Sequence, residues 1–158
     1  MRKRIIQQIQ PDASASDEDG WLKIEELAEV EVTSEDTAHP IESALLPNYG
    51  TGWRASEPGK QIVRLIFARP QQVRRIQLNF LEPTTERTQE YVLRWSTNGG
   101  RSFQEIVHQQ WNFSPQSATR ETEDYSVSLS EVTILELSII PDISGRAAFA
   151  SMAQLRLA

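Results

Sequence analysis

The most regular signal along this chain is a two-residue alternation of apolar and polar positions. "LAEVEV" at 27–32 sets Ala28, Val30 and Val32 against Glu29 and Glu31, the period of a half-buried strand. "QIVRLIF" places Val63, Leu65 and Phe67 on one side, and "VRRIQLNF" alternates Ile76, Leu78 and Phe80 with Arg75, Gln77 and Asn79. "YVLRWS" repeats the pattern with Tyr91, Leu93 and Trp95. Each predicts a strand with one wet face. "SFQEIV", "EDYSVSL", "VTILELSII" and "AFASMAQLRL" complete the series, separated by Pro, Gly, Asn and Asp clusters. Short strands at such spacing predict an all-β sandwich or barrel. The sole helical expectation is a short turn near residues 40–46. Asn98-Gly99 in "STNGGRS" is expected to supply the positive φ angles of a tight hairpin. Ile76, Leu78, Phe80, Leu93, Leu135, Leu137, Leu155 and Leu157 are the expected core.

Length and charge refine this picture. A chain of 158 residues suits one domain. Residues 11–20, "PDASASDEDG", have no aromatic and no aliphatic beyond Ala, so 1–20 reads as an N-terminal segment with an acidic linker and 21–158 as the domain. The net charge of −6 is unevenly spread: residues 12–42 hold eleven acidic residues and one basic, Lys23, whereas 43–158 hold eleven acidic and twelve basic. All of those twelve but Lys60 are Arg, the better bidentate donor to carboxylates, phosphates and hydroxyls. Zero Cys excludes disulfides, thiolate metal sites and Cys nucleophiles. No apolar run is long enough for a membrane span, and the start, "MRKRIIQQIQ", lacks the apolar centre of a secretory signal, so the expectation is a cytoplasmic protein with no membrane partner.

Catalysis finds no support in the motifs. His39 and His108 are far apart, and no Gly-x-Ser-x-Gly, phosphate loop or His-Glu-x-x-His is present. Glu121 and Glu123 in "RETEDYSVSL" read as an acidic strand edge. The expectation is therefore not an enzyme.

The order of the pieces carries a resemblance. An Ala44-Leu45 helical turn, an Asn48 to Trp53 loop ending in Thr-Gly-Trp, a Pro70 to Ile76 strand entry, a Tyr91 to Gly99 hairpin and the closing "ASMAQLRLA" follow one another as in the discoidin, or coagulation factor 5/8 type C, family. That family belongs to the galactose-binding-like jelly rolls, and the resemblance spans roughly residues 27–158. It implies an all-β jelly-roll sandwich and a non-catalytic module binding a carbohydrate or similar polar ligand at loops on one end. The matching loops are "TSEDTAHPIE", "NYGTGWRASEPG", "EPTTERTQE" and "HQQWNFSP". They offer His39, Arg54, Arg87, Glu90, Trp111, Asn112 and Phe113 as ligand-binding residues. Trp111, Asn112 and Phe113 combine an aromatic platform with an amide, while Arg87 and Glu90 would form a polar rim. The competing reading turns Trp111 and Phe113 back to plug the sandwich end. If the loop at 48–59 folds as in the family, Trp53 points inward and Arg54 outward.

Asn48 falls where many members of the family carry an Asp in a calcium loop. Here no Asp or Glu lies between Glu42 and Glu57, so no metal or other cofactor is expected. "ESALLPNYGTGWRASEPGKQIVRLIF" also resembles, over about thirty residues, the N-terminal domain of the eukaryotic single-strand-break-repair scaffold, which engages a polymerase and DNA. The cluster Arg69, Arg74 and Arg75 favours nucleic acid, and the overall acidity opposes it. A protein-interaction module of a cytoplasmic complex remains the other alternative.

Overall fold

A computed structural model describes residues 20–47 and 50–158. The N-terminal segment with most of the acidic linker, and Asn48 of the calcium question, lie outside the described residues.

In chain order the elements are α1 (Ile24–Leu27), β1 (Ala28–Val32), α2 (Glu42–Leu45), β2 (Trp53–Arg54), β3 (Gln61–Leu81), β4 (Arg87–Ser96), β5 (Gln104–Phe113), β6 (Arg120–Ile140), β7 (Ser151–Met152) and β8 (Gln154–Leu157). The register defines two antiparallel layers. In the first, β1 pairs with the first part of β3 (Val30 opposite Leu65), which pairs with the last part of β6 (Leu65 opposite Leu135). β4 follows on β6 (Leu93 opposite Leu137), and β5 forms the far edge (Gln89 opposite Trp111). In the second, the last part of β3 lies between β8 (Leu78 opposite Leu155) and the first part of β6 (Leu78 opposite Glu123). β2 pairs with β7, and the Ala153 N–H donates to the Asn79 carbonyl, tying β7 to the same layer. The fold is an all-β jelly-roll sandwich.

Two pairs of strands expected as separate are continuous. β3 spans both "QIVRLIF" and "VRRIQLNF", and β6 spans "EDYSVSL" and "VTILELSII". Between Ile66 and Arg75 the ladder shifts register three times, and on β6 Glu131 has φ 61. Bulges let a strand bend from one layer into the other without ending, and Pro70, which has no N–H to donate, sits at that bend. The eight expected core residues are all at most 2% exposed.

The helical turn expected at 40–46 is α2, whose Ala44 and Leu45 are buried. The periodicity gave no sign of α1, a single turn anchored by Ile24. In the hairpin the positive φ angles fall on Gly99 (73°) and Gly100 (93°) rather than on Asn98. Asn98 instead ties the turn through its side chain, donating to Ser102 Oγ and accepting from Ser96 Oγ.

Candidate functional site

Because β3 and β6 double back, the loops following β1, β3, β5 and β6 gather at one end. Leu81 lies opposite Arg120 and Gln61 opposite Ile139. The Asp36 N–H donates to the Arg54 carbonyl, Gly59 N–H to Ala148 and Ile143 N–H to Thr88. On this end a shallow groove of about 340 Å³ is bordered by Asp36, His39, Thr51, Arg54, Leu81 and Ser151.

Its floor is fixed by Trp53. The indole is 1% exposed, and its Nε1–H donates to the Ser34 carbonyl at 3.0 Å. Gly52 permits the approach: at φ +99 it adopts a conformation L side chains avoid, and a Cβ there would lie 2.7 Å from the Met152 carbonyl oxygen. Alternation along β2 then turns Arg54 outward. Its backbone is clamped to the turn at 36–39, since Arg54 N–H donates to the His39 carbonyl at 3.1 Å.

The side chains at the rim are ordered by local bonds. Asp36 Oδ1 accepts from the Ala38 N–H at 3.3 Å, and Oδ2 lies 3.2 Å from His39 Nδ1. The Ala38 backbone bond and then His39 hold the Asp36 carboxyl below its ordinary range. An ionised carboxylate only accepts, so Nδ1 carries the imidazole proton and a neutral His39 presents Nε2 as an acceptor. The Arg54 guanidinium lies over the Phe149 ring, 5.3 Å from its centroid. Among the described residues it has no hydrogen bond or ion pair of its own. The rim thus offers a planar multi-donor fork and an imidazole acceptor.

The other expected site residues lie elsewhere. Arg87 is 1% exposed and Phe113 0%, so neither reaches a ligand at the surface. Cross-strand pairing of Arg87 with Phe113, and of Gln89 with Trp111, turns all four side chains toward the interior. Arg87 Nε donates to Glu82 Oε1 at 2.8 Å, Nη1 donates to the Pro141 carbonyl at 2.9 Å, and the guanidinium lies over Phe113. Phe113 belongs to the hydrophobic core and the half-buried Trp111 packs against it, the arrangement of the plug reading. Glu90 faces outward from β4 and pairs with His108 on β5, and Asn112 accepts from Thr88 Oγ1 at 2.8 Å. Of the expected residues, only His39 and Arg54 meet in the groove.

Sequence reasoning missed Asp36 and Phe149. Asp36 carried a signal in its spacing, since an Asp three residues before a His in a turn can orient the imidazole. Phe149 carried none, because its placement beside Arg54 depends on the pairing of β2 with β7. Glu121, read as strand edge, is 1% exposed, and both its oxygens are buried without a partner. Burial and then the neighbouring Glu123 push its carboxyl up to about 7, while Gln89 acts in the opposite direction.

No protein-family model and no curated protein matches the sequence. Solved structures do match the fold. A pectin-binding carbohydrate-binding module is similar with a TM-score of 0.61 at 15% identity, over 83% of this chain and 89% of that one. The family 32 module of C. perfringens NanJ, solved with galactose, has a TM-score of 0.59 at 19% identity, over 82% and 92%. A third module, from a family 31 glycoside hydrolase of Clostridium perfringens, has a TM-score of 0.60 at 12% identity, over 95% and 98%.

Proposed function

We propose that this protein is a non-catalytic carbohydrate-binding module whose ligand lies in the groove between the 36–39 turn and β2. The observation that carries the reading is Arg54, held by Phe149 and by backbone bonds with its fork open beside His39. Sugar hydroxyls take a fork of donors and an acceptor. The fold shared with carbohydrate-binding modules supports this choice.

A hydrolytic role is disfavoured by placement. Glu121, the carboxyl pushed up to about 7, is sealed between the layers, and Asp36 is committed to its own turn. No three His, Asp or Glu side chains converge among the described residues, so binding is proposed to proceed without a metal. A glycan array followed by titration of the bound saccharide tests the reading. Arg54→Ala and His39→Ala should each weaken binding about tenfold or more while the fold stays intact, and a chelator should change neither binding nor melting temperature. Retention of full affinity in both variants would refute the site.

A further inference from the structure

Resting on that carbohydrate reading, we propose that the ligand is an acidic saccharide whose carboxylate pairs with Arg54. The arginines elsewhere give the first argument. Arg64, Arg75, Arg87, Arg94 and Arg146 each have a carboxylate partner, whereas Arg54, Arg69, Arg74, Arg101, Arg120 and Arg156 have none among the described residues, and of these six Arg54 borders the groove. Arg54 has none among the described residues, although Asp36 is near enough to feel its charge. Asp36 is not turned to it: one carboxylate oxygen accepts from Ala38 and the other faces His39. The guanidinium is therefore a cation on the wall of a groove with no carboxylate in ion-pair contact, Asp36 acting on it only through space.

The second argument is desolvation. A ligand that fills the groove removes water from Arg54, and a cation covered by a neutral molecule loses hydration without gaining an opposite charge. A carboxylate replaces that water with a planar, bidentate, charge-assisted pair, roughly twice as strong as hydrogen bonds to neutral hydroxyls. The Arg54 guanidinium lies over the Phe149 ring at 5.3 Å, and its N–H groups make no hydrogen bond among the described residues, so they are available for such a pair. Alongside, His39 Nε2 accepts a ring hydroxyl. Indiscriminate attraction of anions does not explain the site, because the chain carries a net charge of −6. The preference has to be local.

The test compares sugars that differ only in charge. Oligogalacturonate and oligomannuronate are titrated calorimetrically against the full chain, beside their methyl esters and a neutral galacto-oligosaccharide, with polyglutamate as a non-sugar polyanion. At least one acidic oligosaccharide should bind about tenfold or more tightly than its ester, and Arg54→Gln, folded as judged by its melting curve, should close that gap. Esters or neutral sugars bound as tightly as the acids would overturn the acidic ligand and leave the carbohydrate reading standing. Polyglutamate bound as tightly as the acidic sugars would overturn the inference too, because charge alone would then suffice. Binding of no saccharide, acidic or neutral, would remove both readings.

Discussion

Arg54 over Phe149, at 5.3 Å, and Arg87 over Phe113, at 4.9 Å, are the same contact in opposite settings. Arg87 sits between the layers with Glu82 on Nε and the Pro141 carbonyl on Nη1, so its charge is spent on joining the β3–β4 connection to the loop after β6. Arg54 sits at the loop end with its N–H edge free among the described residues. An aromatic stack thus says little about function. What separates the two is that a carboxylate within the fold has already claimed the fork of Arg87 and none contacts that of Arg54.

The two settings differ in energetic consequence as well. Burial pushes the Glu82 carboxyl up, but the Arg87 bond and charge outweigh it and leave the group below its ordinary range. Removing Arg87 strands that carboxylate. Arg87→Ala should therefore cost about 3–5 kcal/mol in chemical denaturation. A double change, Glu82→Gln with Arg87→Met, should recover part of that loss because no uncompensated charge stays inside. A loss below about 1 kcal/mol for Arg87→Ala would erase the contrast with Arg54. Trp53→Ala, beneath the groove, should cost about 3–5 kcal/mol, as large buried aromatics do.

The neighbouring Glu121 sharpens the contrast by its sign. Its folded pKa is raised to about 7 from the ordinary carboxyl value of 4.5, so the folded state holds a proton that the unfolded chain releases. The resulting destabilisation is absent below the unfolded pKa, grows as pH rises through this window and is complete above about 7. Glu123, Tyr91, Tyr125 and Gln89 are the groups acting on this carboxyl or lying beside it, and none of them is a cation. Glu121→Gln should therefore stabilise the protein at pH 8 by on the order of 3 kcal/mol and make little difference at pH 4. Equal stability of variant and wild type at both pH values would show that the carboxylate is solvated.

Much of this was legible in the chain. The alternation identified the core residues and most of the strands, and the motif order identified the jelly roll. The inward Trp53 and outward Arg54 also followed, the first from the family resemblance and the second from alternation with it. The site was less legible because alternation fixes which residues share a face but not which face is buried. Arg87 shares a phase with Tyr91 and Leu93, and the same logic that placed those two inside places Arg87 there, against the residue type's usual preference. Trp111 and Phe113 belong to β5, whose "HQQWNF" was read as loop although it pairs with β4 throughout. Phe149 could not be found at all, since it reaches Arg54 from a segment nearly a hundred residues away.

The smallest expected effect on stability separates the two arginines most cleanly. Arg54→Ala should change folding free energy by no more than about 0.5 kcal/mol, since no partner within the described fold loses a bond. A larger loss would mean that the Phe149 stack, rather than a ligand, accounts for its position.

The most direct measurement is an amide chemical-shift titration of the full chain with the tightest-binding saccharide from an array. The central claim is that the ligand occupies the groove between the 36–39 turn and β2, not the region of Arg87 and residues 111–113. Perturbations should therefore centre on Asp36, His39, Thr51, Arg54, Phe149 and Ser151, and Arg54→Ala should abolish them while leaving the rest of the spectrum in place. Perturbations centred on Glu90, His108 and residues 110–113, unaffected by Arg54→Ala, would contradict the account.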